Sequence, residues 1–461
     1  MKKEKVFFTS IYCPPYPPKG EYPDRITNSA YKTLKEIGIN NVFGHYEDSY
    51  GEEYLKEALV CSENAGITYY PRLALFQKYL AVSGSDVYKG TSYRFLSADE
   101  KTELEKEFIE KTKECANYSS FGGVFFGDES PIGSFEGMAA AKRAFDKNFP
   151  NYEFHYNCLN YCIDDAMLFG GKNAVDYKEL DGDLKCESQN RFNRYRLLID
   201  EYLEVVNPEY LATDMYPYLT LWPSVPTSIH RGLYELNALF AEYKKKYDVK
   251  TFTYIQTGAW DCSVRKVNRA EMALQMNVAI AYGHEGVVFF PGCFPNDFLN
   301  DPGCDASKNG DCGLLDVNCN PTVYAEMAKD LIADLQKCAP ILLDAKFSGV
   351  YSVGEFNGGI GKSVDVDALV DGDCIFVGEL PNFAIYEGEK PQIETDSQLL
   401  VGVFEQQNGC KAYFIVNNSI VVNANVTIKS GCKNVIVSGE KQTTGDCFGA
   451  NIPAGEYICL Y

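Results

Sequence analysis

The feature that most constrains this chain is a regular alternation. Eight short apolar runs lie at residues 6–12, 41–45, 68–73, 123–127, 153–157, 210–214, 251–256 and 286–291, separated by segments of helical periodicity. Residues 28–37 set Ala30, Leu34 and Ile37 on one face, and 52–64 do the same with Leu55, Leu59 and Val60. Further helical segments cover 98–116, 133–150, 192–206, 230–247, 269–282 and 322–338. Many of these segments stop at glycine or proline, as at Gly38, Gly66, Pro150, Pro208, Gly283 and Pro340. Strict alternation implies parallel strands, and eight such units in roughly 340 residues imply a closed (β/α)8 TIM barrel, an α/β fold. An open doubly wound sheet would need a glycine-rich turn after its first strand. This chain has Cys13-Pro14-Pro15-Tyr16-Pro17-Pro18 there instead.

Beyond Asp344 the pattern changes. Short runs at 347–353, 373–380, 383–388, 399–405, 411–419, 424–430, 433–439 and 456–461 are punctuated by glycine, asparagine and aspartate. That is the signature of a small antiparallel β-sandwich. The expected organisation is a catalytic barrel over residues 1–344 followed by a β-sandwich domain over 345–461.

Charge and cysteine usage exclude several partners. A formal net charge of −21 repels nucleic acid and anionic membrane surfaces alike. No stretch reaches the ~18 apolar residues of a membrane span, and the apolar run near the N-terminus is too short for the core of a signal peptide. The 17 cysteines are scattered without a Cys-x-x-Cys, which fits buried thiols in a reducing cytoplasm. Cys293, Cys304, Cys312 and Cys319 share one long loop, but their irregular spacing argues against a zinc knuckle. Neither a metal nor a cofactor is expected, and a homo-oligomer is left open.

In a βα barrel the reactive groups gather on the loops that leave the C-terminal ends of the strands. Run four ends abruptly in Asp128 and Glu129, within Gly123-Val124-Phe125-Phe126-Gly127-Asp128-Glu129-Ser130-Pro131. The two acids could simply begin the next helix, where its positive end favours carboxylates. The other run ends supply Tyr12, His45, Tyr46, Glu47, Arg72, His155, Tyr156, Asn157, Asn160, Asp214, Tyr216 and Gln256, with Trp260 and Asp261 in the seventh loop. His45 and His155 are two of only four histidines, and with Arg72 they read as hydroxyl binders. No His-x-His or His-Glu-x-x-His spacing gathers metal ligands.

Carboxylates across an aromatic cleft suit glycoside hydrolysis, in which one carboxylic acid protonates the leaving oxygen and a second carboxylate serves the oxocarbenium side. Glu129, one methylene longer than its neighbour, is the expected proton donor, its pKa raised by repulsion from Asp128. Asp214 is the expected second carboxylate, and Asp261 its reserve. Tyr46, Tyr216 and Trp260 are expected to stack on sugar rings, with His45, Glu47, Arg72, His155, Asn157 and Gln256 also contacting the carbohydrate.

These motifs resemble the clan A glycoside hydrolases, (β/α)8 barrels with an acid on strand four. More narrowly, the chain is similar to the family 42-like β-galactosidase barrels of gut bacteria, which carry a Gly-Tyr-x-x-x-Asp-Glu-Pro segment there; here Ser130 intervenes before Pro131. Asp214-Met215-Tyr216-Pro217, Ala279-Ile280-Ala281-Tyr282-Gly283, Gly313-Leu314-Leu315-Asp316 and Val416-Asn417-Asn418-Ser419 extend the likeness over most of the chain. It implies a glycosidase with no cofactor. The chain departs from the clan at two points. Asp128 replaces the asparagine that normally precedes the acid, and Gln256 stands where strand seven would carry a nucleophilic glutamate. Inverting, retaining and substrate-assisted mechanisms therefore stay open. So do a non-catalytic sugar-binding barrel and another carbohydrate chemistry, such as metal-dependent elimination or isomerisation.

Overall fold

The computed structural model describes residues 5–20, 22–81, 92–160, 168, 188–218, 229, 232–260, 264–296, 298, 312–354 and 385–461. Eight parallel strands form one sheet in the order β3-β2-β1-β8-β7-β6-β5-β4. They are β1 (Phe8–Ile11), β2 (Asn41–Phe43), β3 (Thr68–Tyr70), β4 (Gly123–Asp128), β5 (Glu153–Cys158), β6 (Tyr210–Thr213), β7 (Lys250–Gln256) and β8 (Gly286–Phe290). Each falls within or across one of the eight apolar runs. Between β3 and β4 the ring closes through single hydrogen bonds: Tyr69 N–H donates to Ser120 O at 2.7 Å, Gly122 N–H to Tyr69 O at 3.0 Å and Phe125 N–H to Pro71 O at 3.1 Å. The fold is the (β/α)8 barrel that the alternation requires.

By internal contacts the chain divides into two compact units. One comprises Ile11–Lys35 and Ile39–Asp214; the other comprises Met1–Ser10, Glu36–Gly38 and Met215–Tyr461. In the first unit, β4 starts at Gly123, whose φ is 143° and whose Cβ, if present, would overlap the Glu153 carbonyl on β5. Only glycine allows those two strands to approach so closely. Residues of β5 alternate strictly. Phe154 stacks on Phe126 on the helix side, while Glu153, His155 and Asn157 share the opposite face at successive heights. The helix Ala98–Cys115 opens with a capping box between Ser97 and Glu100. Helix Ser188–Glu201 runs on into a π-helical turn at Tyr202–Val206, the segment in which the periodicity places its end.

In the second unit, the helix Gly232–Tyr247 and the helix Arg269–Ala281 flank β7 and β8. Nine further strands form two antiparallel sheets, a six-stranded one in the order β15-β14-β17-β12-β11-β9 and a three-stranded one in the order β10-β13-β16. These are β9 (Lys346–Val353), β10 (Gln392–Thr395), β11 (Leu399–Glu405), β12 (Lys411–Asn417), β13 (Ala424–Lys429), β14 (Asn434–Val437), β15 (Glu440–Thr443), β16 (Cys447–Ile452) and β17 (Tyr457–Leu460). Between the sheets lies a core of Leu399, Val401, Ile415, Val426, Ile428, Ile452 and Leu460. The other face of β11 packs on the helix Arg269–Ala281, where a Cβ at Gly402 would strike the Ala281 carbonyl. Strands β10, β15 and β16 were not marked by apolar runs; β15 is exposed along its whole length and β10 and β16 carry alternating exposed positions. Strand β15 pairs with β14 through a tight turn in which Ser438 and Gly439 both have positive φ, 45° and 73°. The runs at 373–380 and at the start of 383–388 lie outside the described residues, as do His230, Asp261 and Cys304.

Candidate active site

The site is built on the ends of β4, β5 and β6. Asp128, the last residue of β4, is in register with Asn157 on β5, and Asn157 with Ala212 on β6. Past Asp128 the backbone turns sharply. Glu129 adopts a left-handed φ of 50°, rarely occupied by a side-chain-bearing residue and a form of local strain found at functional sites. The turn is over-determined by its surroundings. Glu129 N–H donates to Asn157 O at 2.9 Å, Ser130 N–H donates to the Tyr156 hydroxyl at 2.9 Å, and that hydroxyl donates back to Ser130 O at 3.0 Å.

Three carboxylates converge there. Asp128 Oδ1 accepts from Asn157 Nδ2 at 2.9 Å, and its Oδ2 accepts from the Tyr12 hydroxyl at 3.0 Å. The same Asn157 nitrogen donates to Asp214 Oδ1 at 3.2 Å. Glu129 Oε1 accepts from Asn160 Nδ2 at 3.1 Å. Arg72 brings a positive charge, with Nη1 at 3.5 Å from Asp128 Oδ2 and a hydrogen bond to the Tyr12 hydroxyl. Its guanidinium lies 4.3 Å from the centre of the Tyr46 ring. Tyr46 itself is left-handed, with φ 59°. Burial, then the charge of Asp214, then that of Asp128 push the Glu129 carboxyl well above the usual range; Asn160 offsets only part of this. The three acids thus differ in kind. Asp128 sits among donors, whereas Glu129 faces two other carboxylates.

The neighbouring residues divide by depth. Burial and the Arg72 charge push the His45 imidazole down to about 3, so at neutral pH it is uncharged. Glu47 is 1% exposed, accepts His45 N–H at 2.8 Å, and is pushed up to about 7 by burial. His155 sits one layer below Asn157 on β5, 2% exposed, between the rings of Tyr70 and Tyr210. Its Nε2 is 3.1 Å from Glu153 Oε2, and the same Glu153 carboxylate accepts from the Tyr70 hydroxyl at 2.6 Å and from the Tyr210 hydroxyl. The structure therefore brings His45, Tyr46, Arg72, Asn157 and Asp214 to the acid pair, and sets His155 in the barrel interior with Glu153.

In the other unit Gln256 is fully buried. Its Nε2 donates to the carbonyls of Tyr218, Gly258 and Arg265 at 3.2, 3.3 and 2.6 Å, and its Oε1 accepts Tyr218 N–H at 3.2 Å. The amide ties two loops together. Tyr216, Trp260 and Phe290 form an aromatic group with ring centres 4.7 to 5.3 Å apart. Asp261 lies outside the described residues. Among the described residues no group of three His, Cys, Asp or Glu side chains is placed to hold a metal ion, and no helix is long and apolar enough to cross a membrane.

Sequence reasoning named Tyr12, Tyr156 and Asn160 as strand-end residues but gave them no part, and it overlooked Glu153 and Tyr210. Glu153 had a signal: an acid that opens a β-run and shares the period-two face of His155 and Asn157. The hydroxyls carried none, since a tyrosine at a strand position reads the same whether its oxygen is used or not.

Fold and site together define a (β/α)8 barrel with three clustered carboxylates at the strand ends. Solved structures that it resembles include the β-galactosidase of the psychrophilic Marinomonas ef1, 13% identical with a TM-score of 0.44, over 74% of this chain and 62% of that one. A second is the β-galactosidase of the Antarctic haloarchaeon Halorubrum lacusprofundi, 11% identical with a TM-score of 0.46, over 71% and 57%. A third is the GH53 catalytic domain of Ignisphaera aggregans, 13% identical with a TM-score of 0.41, over 66% and 88%. The matched region thus spans less than two thirds of the two β-galactosidases. No protein-family model and no curated protein matches the sequence.

Proposed function

We propose that this protein is a glycoside hydrolase acting on oligosaccharides, with Glu129 as general acid and Asp214 as its anionic partner. The observation that carries the reading is the placement of Glu129. It is half-buried beside two carboxylates, and burial with their charge raises its pKa, so it keeps a proton at a pH where an ordinary glutamate has lost it. A general acid needs that property, and the reaction needs a second carboxylate nearby as an anion. Asp128, held by Asn157, Tyr12 and Arg72, is a fixed negative charge that sustains the proton on Glu129 rather than a reacting group. Gln256 cannot attack an anomeric carbon, and its amide is occupied by backbone; Asp214, whose charge acts on Glu129, is the proposed partner, with Asp261 in reserve. His45, Tyr46 and Arg72 are the groups proposed to meet the sugar, with Tyr216 and Trp260 as stacking rings on the strength of their chemistry. The division into a catalytic barrel to residue 344 and a β-sandwich from residue 345 belongs to the same proposal.

The test is hydrolysis of a panel of aryl glycosides and N-acetylated oligosaccharides by the wild type and by Glu129→Gln. Loss of general acid catalysis lowers the rate on unactivated substrates by roughly two orders of magnitude or more. Turnover by the wild type that survives the substitution undiminished would remove Glu129 from the mechanism.

A further inference from the structure

The residue that organises the acid cluster is Asn157. Strand order β6-β5-β4 sets it between the two strands whose ends carry Asp214 and Asp128. A carboxamide nitrogen has two hydrogens, and here one reaches Asp128 Oδ1 at 2.9 Å and the other Asp214 Oδ1 at 3.2 Å. Its own Oδ1 is buried and has no hydrogen-bond partner among the described residues. Turning the amide over would set that oxygen against two carboxylates, so the observed orientation is the favoured one while both acids are ionised. Orientation and ionisation are therefore coupled. A protonated Asp128 or Asp214 would still accept through its carbonyl oxygen but more weakly, so the Asn157 donors favour the ionised form of both.

We propose that Asn157 is a positioning residue that keeps Asp128 and Asp214 both ionised, so that the single proton of the three-acid cluster resides on Glu129. The inference rests on the glycosidase reading for its catalytic meaning, though not for its test. Other groups face the cluster. Asp128 faces the Arg72 guanidinium and the Tyr12 hydroxyl, Asp214 faces Glu129 and the Cys158 thiol, and Glu129 faces Asn160. The Asn157 amide touches two of the acids through one rigid planar group.

Two variants separate the role from simple support of the fold. Asn157→Leu keeps the volume and removes both donors; Asn157→Ser keeps one. The first readout is the pH dependence of kcat/KM on whichever glycoside the wild type cleaves. In Asn157→Leu the acid limb moves to higher pH by about one unit, because the anionic partner takes up a proton more readily once its donor is gone. In Asn157→Ser it moves less. A residue that only supports the fold lowers the rate without moving the limb, and that result overturns the proposal. The second readout needs no substrate: titration of the 13C-carboxyl resonances of labelled aspartate in the full chain, assigned with Asp128→Asn and Asp214→Asn. Those resonances titrate at higher pH in Asn157→Leu than in the wild type. If they titrate as in the wild type, the proposal fails whether or not any glycoside is cleaved. If Asn157→Leu does not fold, Asn157→Ser decides by the same comparison. Absence of turnover on every glycoside would instead remove the glycosidase reading, and the carboxyl titration would still decide the role of Asn157.

Discussion

Glu129 and Glu153 lie in the same unit, one just past the end of β4 and one at the start of β5, and burial presses on both in the same direction. Their outcomes are opposite. Glu129 looks at Asp214 and Asp128 and is driven upward. Glu153 is also pushed up by burial, but hydrogen bonding and charge from His155, with the Tyr210 and Tyr70 hydroxyls, outweigh it and bring it to about 2. Water exclusion amplifies whatever partners surround a carboxylate; the partners set the sign. One acid is arranged to hold a proton and the other to never need one. The first arrangement suits chemistry, the second suits architecture.

The comparison is tested most severely by separating activity from stability. Glu129→Gln should abolish turnover on the scale given above while leaving thermal stability intact. A carboxyl with a raised pKa weakens the fold as pH climbs above the ordinary carboxylate range, and glutamine has no such cost. Scanning calorimetry at alkaline pH should therefore show the variant at least as stable as the wild type. A marked loss there would mean that Glu129 is structural.

Placing a carboxylate where every partner is a carbonyl extends the same logic. Gln256→Glu sets oxygen against the carbonyls of Tyr218, Gly258 and Arg265. We expect destabilisation of about 3 kcal/mol by denaturant unfolding and no gain in hydrolysis. A more active variant would show that the strand-seven position can still serve as a nucleophile. Asp214→Asn should act more mildly on the proton of Glu129. It removes the neighbouring charge with the larger effect on Glu129, so the alkaline limb of the rate profile should move to lower pH, in addition to any loss of rate from the missing partner. An unmoved limb would assign that limb to another group.

The smallest effect is expected at Glu153. Its depressed value contributes stability that is present above the ordinary glutamate pKa and lost as pH falls through about 2. With the side chain 34% exposed, screening reduces this, and Glu153→Gln should cost about 1–2 kcal/mol at neutral pH with kcat/KM unchanged. The difference from the wild type should narrow on acidification.

Much of this was legible in the chain. Parallel strands buried on both faces read as continuous apolar runs, which is why all eight barrel strands appear where the runs lie. The runs at 41–45 and 68–73 outlast their strands because Gly44, Tyr46 and Arg72 continue the hydrogen bonding as loop: Gly44 N–H reaches Tyr70 O at 2.9 Å and Tyr46 N–H reaches Arg72 O at 3.0 Å. Strand-end logic gathered Asp128, Glu129, Asn157 and Asp214, since position along a strand fixes height in the barrel. It also drew in His155, which shares the inward face of β5 but stands one layer lower. What no spacing shows is how donors are shared. That Asn157 serves two acids, or that Gln256 serves backbone, depends on neighbours that are distant in sequence. The polar strands β10, β15 and β16 escaped for a simpler reason: exposed strands need no apolar run.

Gly402 carries a consequence for rebuilding this molecule. With no room for even a methyl group between β11 and the helix Arg269–Ala281, and with Asn277 Nδ2 reaching Gly455 O at 2.8 Å and the Tyr234 hydroxyl reaching Asn418 Oδ1 at 2.6 Å, the C-terminal strands fit one particular helical surface. They are not a cassette. A chimaera joined at the junction near Asp344 would present two mismatched halves of a single moulding, and a successful graft would have to carry that helical surface along with the strands.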